Sequence, residues 1–177
     1  MLHSFKDIIE AARQRGVKKI VVPHPEVTDI LLLAEAMAIG LIIPCFVGNG
    51  KIIKTMIDES PLVAEKYEIV EENDQQHALD KALEILHNGI GDILLHGGIS
   101  PQTVLHALHD KSKGMIPKGG LMSFVSVFPL LKKEKLILVT DTFLNNHPSV
   151  AEKQQILSNA LKLALIMGMK APKVAAL

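Results

Sequence analysis

Short apolar runs alternate along the chain with longer amphipathic stretches, and glycine, proline or asparagine marks most of the junctions. Solid apolar runs of this kind read as buried strands, and a 3.6-residue apolar period reads as helix. The pattern predicts a helix over 4–15, opened by Ser4 and Asp7 as a capping box and closed by Gly16. A strand over Lys18–Val22 follows, then the stiff turn Pro23-His24-Pro25 and a helix over 28–39. Cys45–Val47 reads as the second strand, with Gly48-Asn49-Gly50 turning into a helix over 51–58. Glu68–Val70 reads as the third strand. Residues 74–87 read as a helix whose apolar side is Ala78, Leu79, Ala82, Leu83, Ile85 and Leu86.

The run Ile93-Leu94-Leu95 stops at His96-Gly97-Gly98, and Ser100 with Pro101 opens the next helix. Open α/β sheets take ligands outside the carboxyl ends of their strands, in this order of strand, loop and helix. Leu121–Phe128 and Leu136–Val139 read as two further parallel strands, the second ending in Thr140-Asp141-Thr142. Ser123 and Ser126 are expected to share one face of the first. The strand ends at His96-Gly97, Ser123 and Thr140-Asp141 are expected to line one cleft. Ser149 and Glu152 form a capping box for a helix over 149–167, whose second half is apolar nearly all round and needs cover on more than one face. Lys173–Leu177 reads as a strand. Alternating strands and helices with short links predict an α/β fold, with a mostly parallel sheet covered on both faces.

Composition narrows the picture. Hydrophobic residues make up 48% of the chain and aromatic ones 3%, so the core must be aliphatic. Lys plus Arg and Asp plus Glu are both 19. That balance argues against nucleic acid as a partner, which needs a basic stripe. A single cysteine, Cys45, lies in an apolar run and reads as a core thiol of a cytoplasmic protein. The longest apolar stretch, Ile30–Ile43, is interrupted by Glu35 and Gly40 and followed by Pro44, which argues against a membrane span. His106 and His109 stand three apart without an HExxH pattern or a cysteine partner, so they read as surface histidines and no metal site is expected. Gly48-Asn49-Gly50 matches neither GxGxxG nor a GK[ST] ending. It reads as a turn, with a phosphate-bearing ligand as the second reading.

One ordered set of motifs carries a resemblance. Ile93-Leu94-Leu95-x-Gly97 with Thr103, Leu121-Met122-Ser123-x-Val125-x-Val127-Phe128, Thr140-Asp141, and Asn145-x-x-Pro148 before a long helix together resemble the phosphate acetyl/butyryltransferase family. The resemblance runs from about Lys18 to Leu177. It implies a three-layer α/β/α fold similar to isocitrate and isopropylmalate dehydrogenases. It implies acyl transfer between coenzyme A and phosphate, with acyl-CoA and phosphate or acyl phosphate as small-molecule partners. Coenzyme A is then a substrate, and no cofactor is expected. His96, Gly97, Gly98, Ser123 and Asp141 are the candidate substrate-binding residues, with His96 equally read as merely filling a strand end and Asp141 equally as capping the following turn.

The chain also departs from that family. His96 stands where members usually carry Lys, and Phe124 where they carry His. Arg13 and Arg15 are the chain's arginines, where phosphate-binding arginines are expected elsewhere. The family's catalytic Ser-Arg pair and Asp are expected beyond Leu177, so no catalytic residue is assigned. Residues 1–147 are expected to form one α/β lobe and 148–177 the start of a second, cut short. The apolar helix and unfinished strand there are expected to drive homodimer formation. The alternative reading is a non-catalytic relative or fragment that keeps a phosphate- and acyl-CoA-binding lobe.

Overall fold

The computed structural model describes residues 2–60, 66–110, 112–130 and 135–176. The chain forms two compact units, one of residues 15–115 and one of residues 1–14 with 116–177. The first helix, α1 (Phe5–Gln14), belongs to the second of these.

In the 15–115 unit four strands make a parallel sheet: β1 (Lys18–Pro23), β2 (Ile42–Gly48), β3 (Glu68–Glu71) and β4 (Ile93–Leu94), in the order β3-β2-β1-β4. Its helices are α2 (Val27–Ala38), α3 (Gly50–Asp58), α4 (Gln75–His87) and α5 (Pro101–Leu108). Side chains alternate across a strand, so each strand feeds two cores. Ile20, Val22 and Phe46 pack against Ile30 and Leu33 of α2 and Ile53 and Ile57 of α3. Val21, Cys45 and Val47 face the other way, onto Ala78 and Ala82 of α4. Helices on both faces of a parallel sheet make the three layers that the alternating pattern predicts. Leu79 and Leu83 of α4 meet Ile99 and Val104 beside α5 in a third cluster.

Pro44 sits inside β2 although it has no N–H to give. It is tolerated because pairing with β3 begins one residue later, at Cys45 opposite Glu68. The helices start where short polar side chains satisfy free N–H groups. Asn49 Oδ1 accepts from Lys51 N and Ile52 N at 3.1 Å, and Asp74 Oδ1 accepts from His77 N at 2.8 Å. From β1 the chain steps outward to β2 and β3, and α4 then carries it back to β4 on the far side of β1. The winding direction therefore reverses between β1 and β4.

In the other unit β5 (Val125–Leu130) and β6 (Lys135–Thr140) form a two-stranded antiparallel sheet, with Val125 opposite Thr140. The helix α6 (Val150–Ile166) buries Ile156, Ala160 and Ala164, one residue per turn on one side. Ser149 and Glu152 cap it reciprocally, as the sequence predicts. Leu2 N donates to Met167 O at 3.1 Å.

Three expectations are corrected. β5 and β6 make a two-stranded sheet of their own, and they are antiparallel because the link between Leu130 and Lys135 is too short for a parallel crossover of a dozen residues or more. Ser123 precedes β5 instead of lying in it, and its odd spacing from Ser126 would place the two on opposite faces of a strand. Lys173–Ala176 is not a strand, and Leu177 lies outside the described residues.

Candidate functional site

The point of reversal lies at the carboxyl ends of β1 and β4. Leu95 N donates to Val21 O at 2.9 Å, Gly98 N to His24 O at 2.8 Å, and His24 N to Val47 O at 2.7 Å. His24 thus ties three strand ends together. Among the described residues it is the one non-glycine with positive φ, at 48°. Gly97 has φ 62°, and a Cβ there would fall onto the Pro23 carbonyl oxygen. A Cβ on Gly98 would lie 2.9 Å from His24 O. The glycines are needed because the chain's own β1 loop fills the space beside them.

His96 is exposed, with Nδ1 2.7 Å from Gly97 O. Gln75 Nε2, at the start of α4, donates to Gly98 O at 3.1 Å. A groove of about 360 Å³ opens there, lined by Gln75, Gln76, Gly98, Ile99, Ser100 and Thr103. Gln76 and Thr103 also line a neighbouring groove of about 540 Å³ between α4 and α5, into which Asp80 and Lys113 bring an ion pair at 2.8 Å. Ser100 Oγ caps α5 by accepting from Thr103 N at 3.2 Å.

The Gly48-Asn49-Gly50 turn takes a different role from the phosphate reading. Glu71 Oε2 accepts from Gly50 N at 3.0 Å, so the positive end of α3 already faces a carboxylate. Cys45 is 1% exposed, and burial pushes its thiol pKa up. It is a core side chain.

Ser123 and Asp141 lie in the other unit. Antiparallel pairing brings the approach to β5 and the end of β6 to the same edge of the hairpin. The Thr140–Asp141 peptide is cis. Asp141 Oδ1 accepts from Phe143 N and Leu144 N at 2.9 Å, and Oδ2 from Phe124 N at 3.0 Å and Asn145 Nδ2 at 2.6 Å. Burial pushes the Asp141 carboxyl up, but the donors from Phe143, Leu144, Phe124 and Asn145 outweigh it and hold the pKa at about 2. Asn145 Nδ2 also reaches Met122 O, and Asn159 Nδ2 of α6 donates to Leu121 O at 2.9 Å and Ser123 Oγ at 3.0 Å. The segment before β5 is therefore stitched to residues from β6 onward. Phe124 and Phe143 form an exposed tilted pair with centroids 5.6 Å apart.

His96, Gly97 and Gly98 come together in one unit, and Ser123 and Asp141 in the other. Sequence reasoning passed over Gln75, Asn159 and the linking role of His24. The signals were weak: a histidine between two prolines, and one amide on a helix that also carries Gln154 and Gln155.

A family model described as phosphate acetyl/butaryl transferase matches residues 76–177, more than half of the chain. The chain belongs to this family. It is 30% identical to a phosphate butyryltransferase of Clostridium acetobutylicum over 99% of this chain and 58% of that protein. It is 29% identical to a probable phosphate butyryltransferase of Bacillus subtilis over 98% of this chain and 57% of that protein. The chain thus spans somewhat over half the length of these relatives of the acetyl/butaryl transferase family. A phosphotransacetylase structure from Streptococcus pyogenes matches 93% of this chain and 60% of its own, with TM-score 0.72 and 15% identity. The EutD phosphotransacetylase from Staphylococcus aureus matches 93% of this chain and 58% of its own, with TM-score 0.69 and 17% identity. At that identity the likeness is one of fold. Among the described residues, no helix is long and apolar enough to cross a membrane.

Proposed function

We propose that this chain provides the acyl-CoA- and phosphate-binding lobe of a phosphate acyltransferase, serving the exchange of acyl-CoA and phosphate for acyl phosphate and free coenzyme A. The observation that carries the reading is the family match over 76–177, which spans the β4 loop, the β5–β6 hairpin and α6. The winding reversal at the carboxyl ends of β1 and β4 supports it, since ligands of open α/β sheets bind there. His96, Gly97 and Gly98, with Ser123 and Asp141, are the proposed substrate contacts, and coenzyme A is consumed without a further cofactor. Residues 1–147 are the proposed first lobe and 148–177 the beginning of the second. Leu165 and Ile166, 60% and 57% exposed on α6, support a homodimer, because clustered wet aliphatic side chains favour association. The buried lone thiol agrees with a cytoplasmic setting.

A second reading, binding without turnover, draws on Asp141 and Ser123. The four donors on Asp141 and the amide on Ser123 Oγ commit both side chains to holding the hairpin. Calorimetric titration with coenzyme A, beside thiol release from acetyl-CoA and butyryl-CoA with phosphate, tests both readings. We expect binding, and turnover above background but well below the roughly 10 per second typical of enzymes. Binding with no turnover selects the second reading. Neither binding nor turnover overturns both.

A further inference from the structure

We infer that Asn88 is a site of spontaneous covalent modification, at which attack by the Gly89 amide expels the side-chain amide as ammonia and leaves isoaspartate or aspartate. The inference stands apart from the acyl-transfer reading and survives or fails without it.

The reaction needs an uncommitted asparagine side chain, an unhindered nitrogen in the next residue, and water. Glycine offers the least hindered nitrogen, because it has no Cβ and turns freely. The chain holds two Asn-Gly pairs, Asn49-Gly50 and Asn88-Gly89. As dipeptides they are equivalent. The fold tells them apart.

Asn49 is committed on every side. Its Oδ1 caps α3 by accepting from Lys51 N and Ile52 N at 3.1 Å, and its Nδ2 donates to Asn73 Oδ1. The nitrogen that would attack, Gly50 N, is buried and donates to Glu71 Oε2 at 3.0 Å. A hydrogen bond to a carboxylate is among the stronger ones. All of these bonds must break before a ring can close.

Asn88 is the reverse case. It ends α4 in a Schellman turn, where Gly89 N donates to Leu86 O and Ile90 N to Ile85 O, both at 3.0 Å, with Gly89 at φ 67°. Asn88 and Gly89 are both exposed. Nothing lies within 4 Å of where a Cβ on Gly89 would stand, so solvent reaches the peptide. Among the described residues the Asn88 side chain has no hydrogen-bond partner. A single bond at an exposed helix end holds the attacking nitrogen, and such ends fray.

The step balances with water alone. Gly89 N attacks Asn88 Cγ, the bond from Cγ to Nδ2 breaks, and the departing nitrogen takes the Gly89 proton to leave as ammonia. Water then opens the five-membered imide. Opening at the Asn88 backbone carbonyl gives isoaspartate, whose chain runs through Cγ; opening at Cγ gives aspartate. One water is consumed and one ammonia released. Either product puts a carboxylate at the negative end of α4, where a neutral amide stood. It also makes a chain of formal net charge zero acidic.

The test incubates the whole 177-residue chain in mildly alkaline buffer and follows both Asn-Gly peptides by mass spectrometry. Transfer of a methyl group by an isoaspartyl methyltransferase reports the isoaspartate. The Asn88 peptide is expected to convert about tenfold faster than the Asn49 peptide, equivalent to about 1.4 kcal/mol less opening cost. In urea the two rates are expected to draw level. Glu71→Ala, which frees Gly50 N, is expected to speed conversion at Asn49 and leave Asn88 as it was. Hydrogen exchange is expected to be faster at Gly89 N than at Gly50 N. Equal conversion of the two pairs in the native chain, or faster conversion at Asn49, would overturn the inference. So would an Asn88 that converts in urea and stays intact in the native chain. A difference that persists unchanged in urea, or no gain at Asn49 in Glu71→Ala, would show that the fold does not set the choice and would overturn it as well.

Discussion

Replacing Gly97 by alanine tests whether the β4 loop is held by direct backbone packing, and Gly89→Ala is its matched control. Both glycines lie in the 15–115 unit with nearly equal φ, 62° and 67°. A side chain in that region costs about 1 kcal/mol at either position. At Gly89 nothing lies within 4 Å of the new Cβ, so that cost stands alone. At Gly97 the Cβ lands on Pro23 O, with Pro23 C and His24 O at 3.2 Å. The loop must move away, which overpacking costs put at about 1–3 kcal/mol. Loss of the Gly98–His24 hydrogen bond adds about 1 kcal/mol. Gly97→Ala should therefore cost about 3–5 kcal/mol and Gly89→Ala about 1 kcal/mol. Two compact units make a single global transition a poor readout. Hydrogen exchange at Leu95 N and Gly98 N, read beside urea unfolding, localises the effect. If the two variants differ by less than about 0.5 kcal/mol, the close approach is not rigid and the account of the loop fails.

Other outcomes follow from the same geometry. The Asp141 pKa of about 2 lies below the ordinary 3.8, so its contribution is complete above the ordinary value and is lost as pH falls through 2. The difference corresponds to roughly 2.5 kcal/mol, which partial exposure reduces to about 1–2. Asp141→Asn should remove that acid dependence from hairpin exchange protection, and an unchanged profile would count against it. Leu165→Glu with Ile166→Glu should shift the chain toward monomer in light scattering, and a wild type already monomeric at high micromolar concentration refutes the dimer. Cys45 should resist iodoacetamide in the native chain and react on unfolding, and rapid native labelling would contradict its burial.

Much of the 15–115 unit was legible because its signals are local. The solid apolar run ending in Val21 and Val22, the cap Ser100, and the apolar side of α4 each specify an element from a few adjacent residues. β2 extends back to Ile42 beyond the expected start, since its first residues pair only with β1 and Pro44 disguises them as a turn. The hairpin was misjudged for a different reason. Strand direction depends on what joins the strands, and the brevity of the 131–134 link outweighs the likeness of two apolar runs. The site was half legible. The glycines stood out, but what they approach is a carbonyl from a strand more than seventy residues earlier, which no local pattern records. Asn159 was hidden because a side-chain amide on a helix gains meaning only from the segment it meets.

The brevity of β4 has a mechanical consequence. Two paired residues, opposite Ile20 and Val21, are too little ladder to hold a loop by themselves. The strand is moored at both ends instead. At its entry Asp92 N donates to Lys19 O at 2.9 Å, while Asp92 Oδ2 accepts from Lys19 N at 2.8 Å and Oδ1 meets Lys18 Nζ at 2.9 Å. At its exit Gly98 is fastened to His24. A short span between two anchors transmits slack from one to the other. Loosening the Asp92 mooring, by substitution or by acid, should therefore be felt as motion of His96 at the opposite end of the strand.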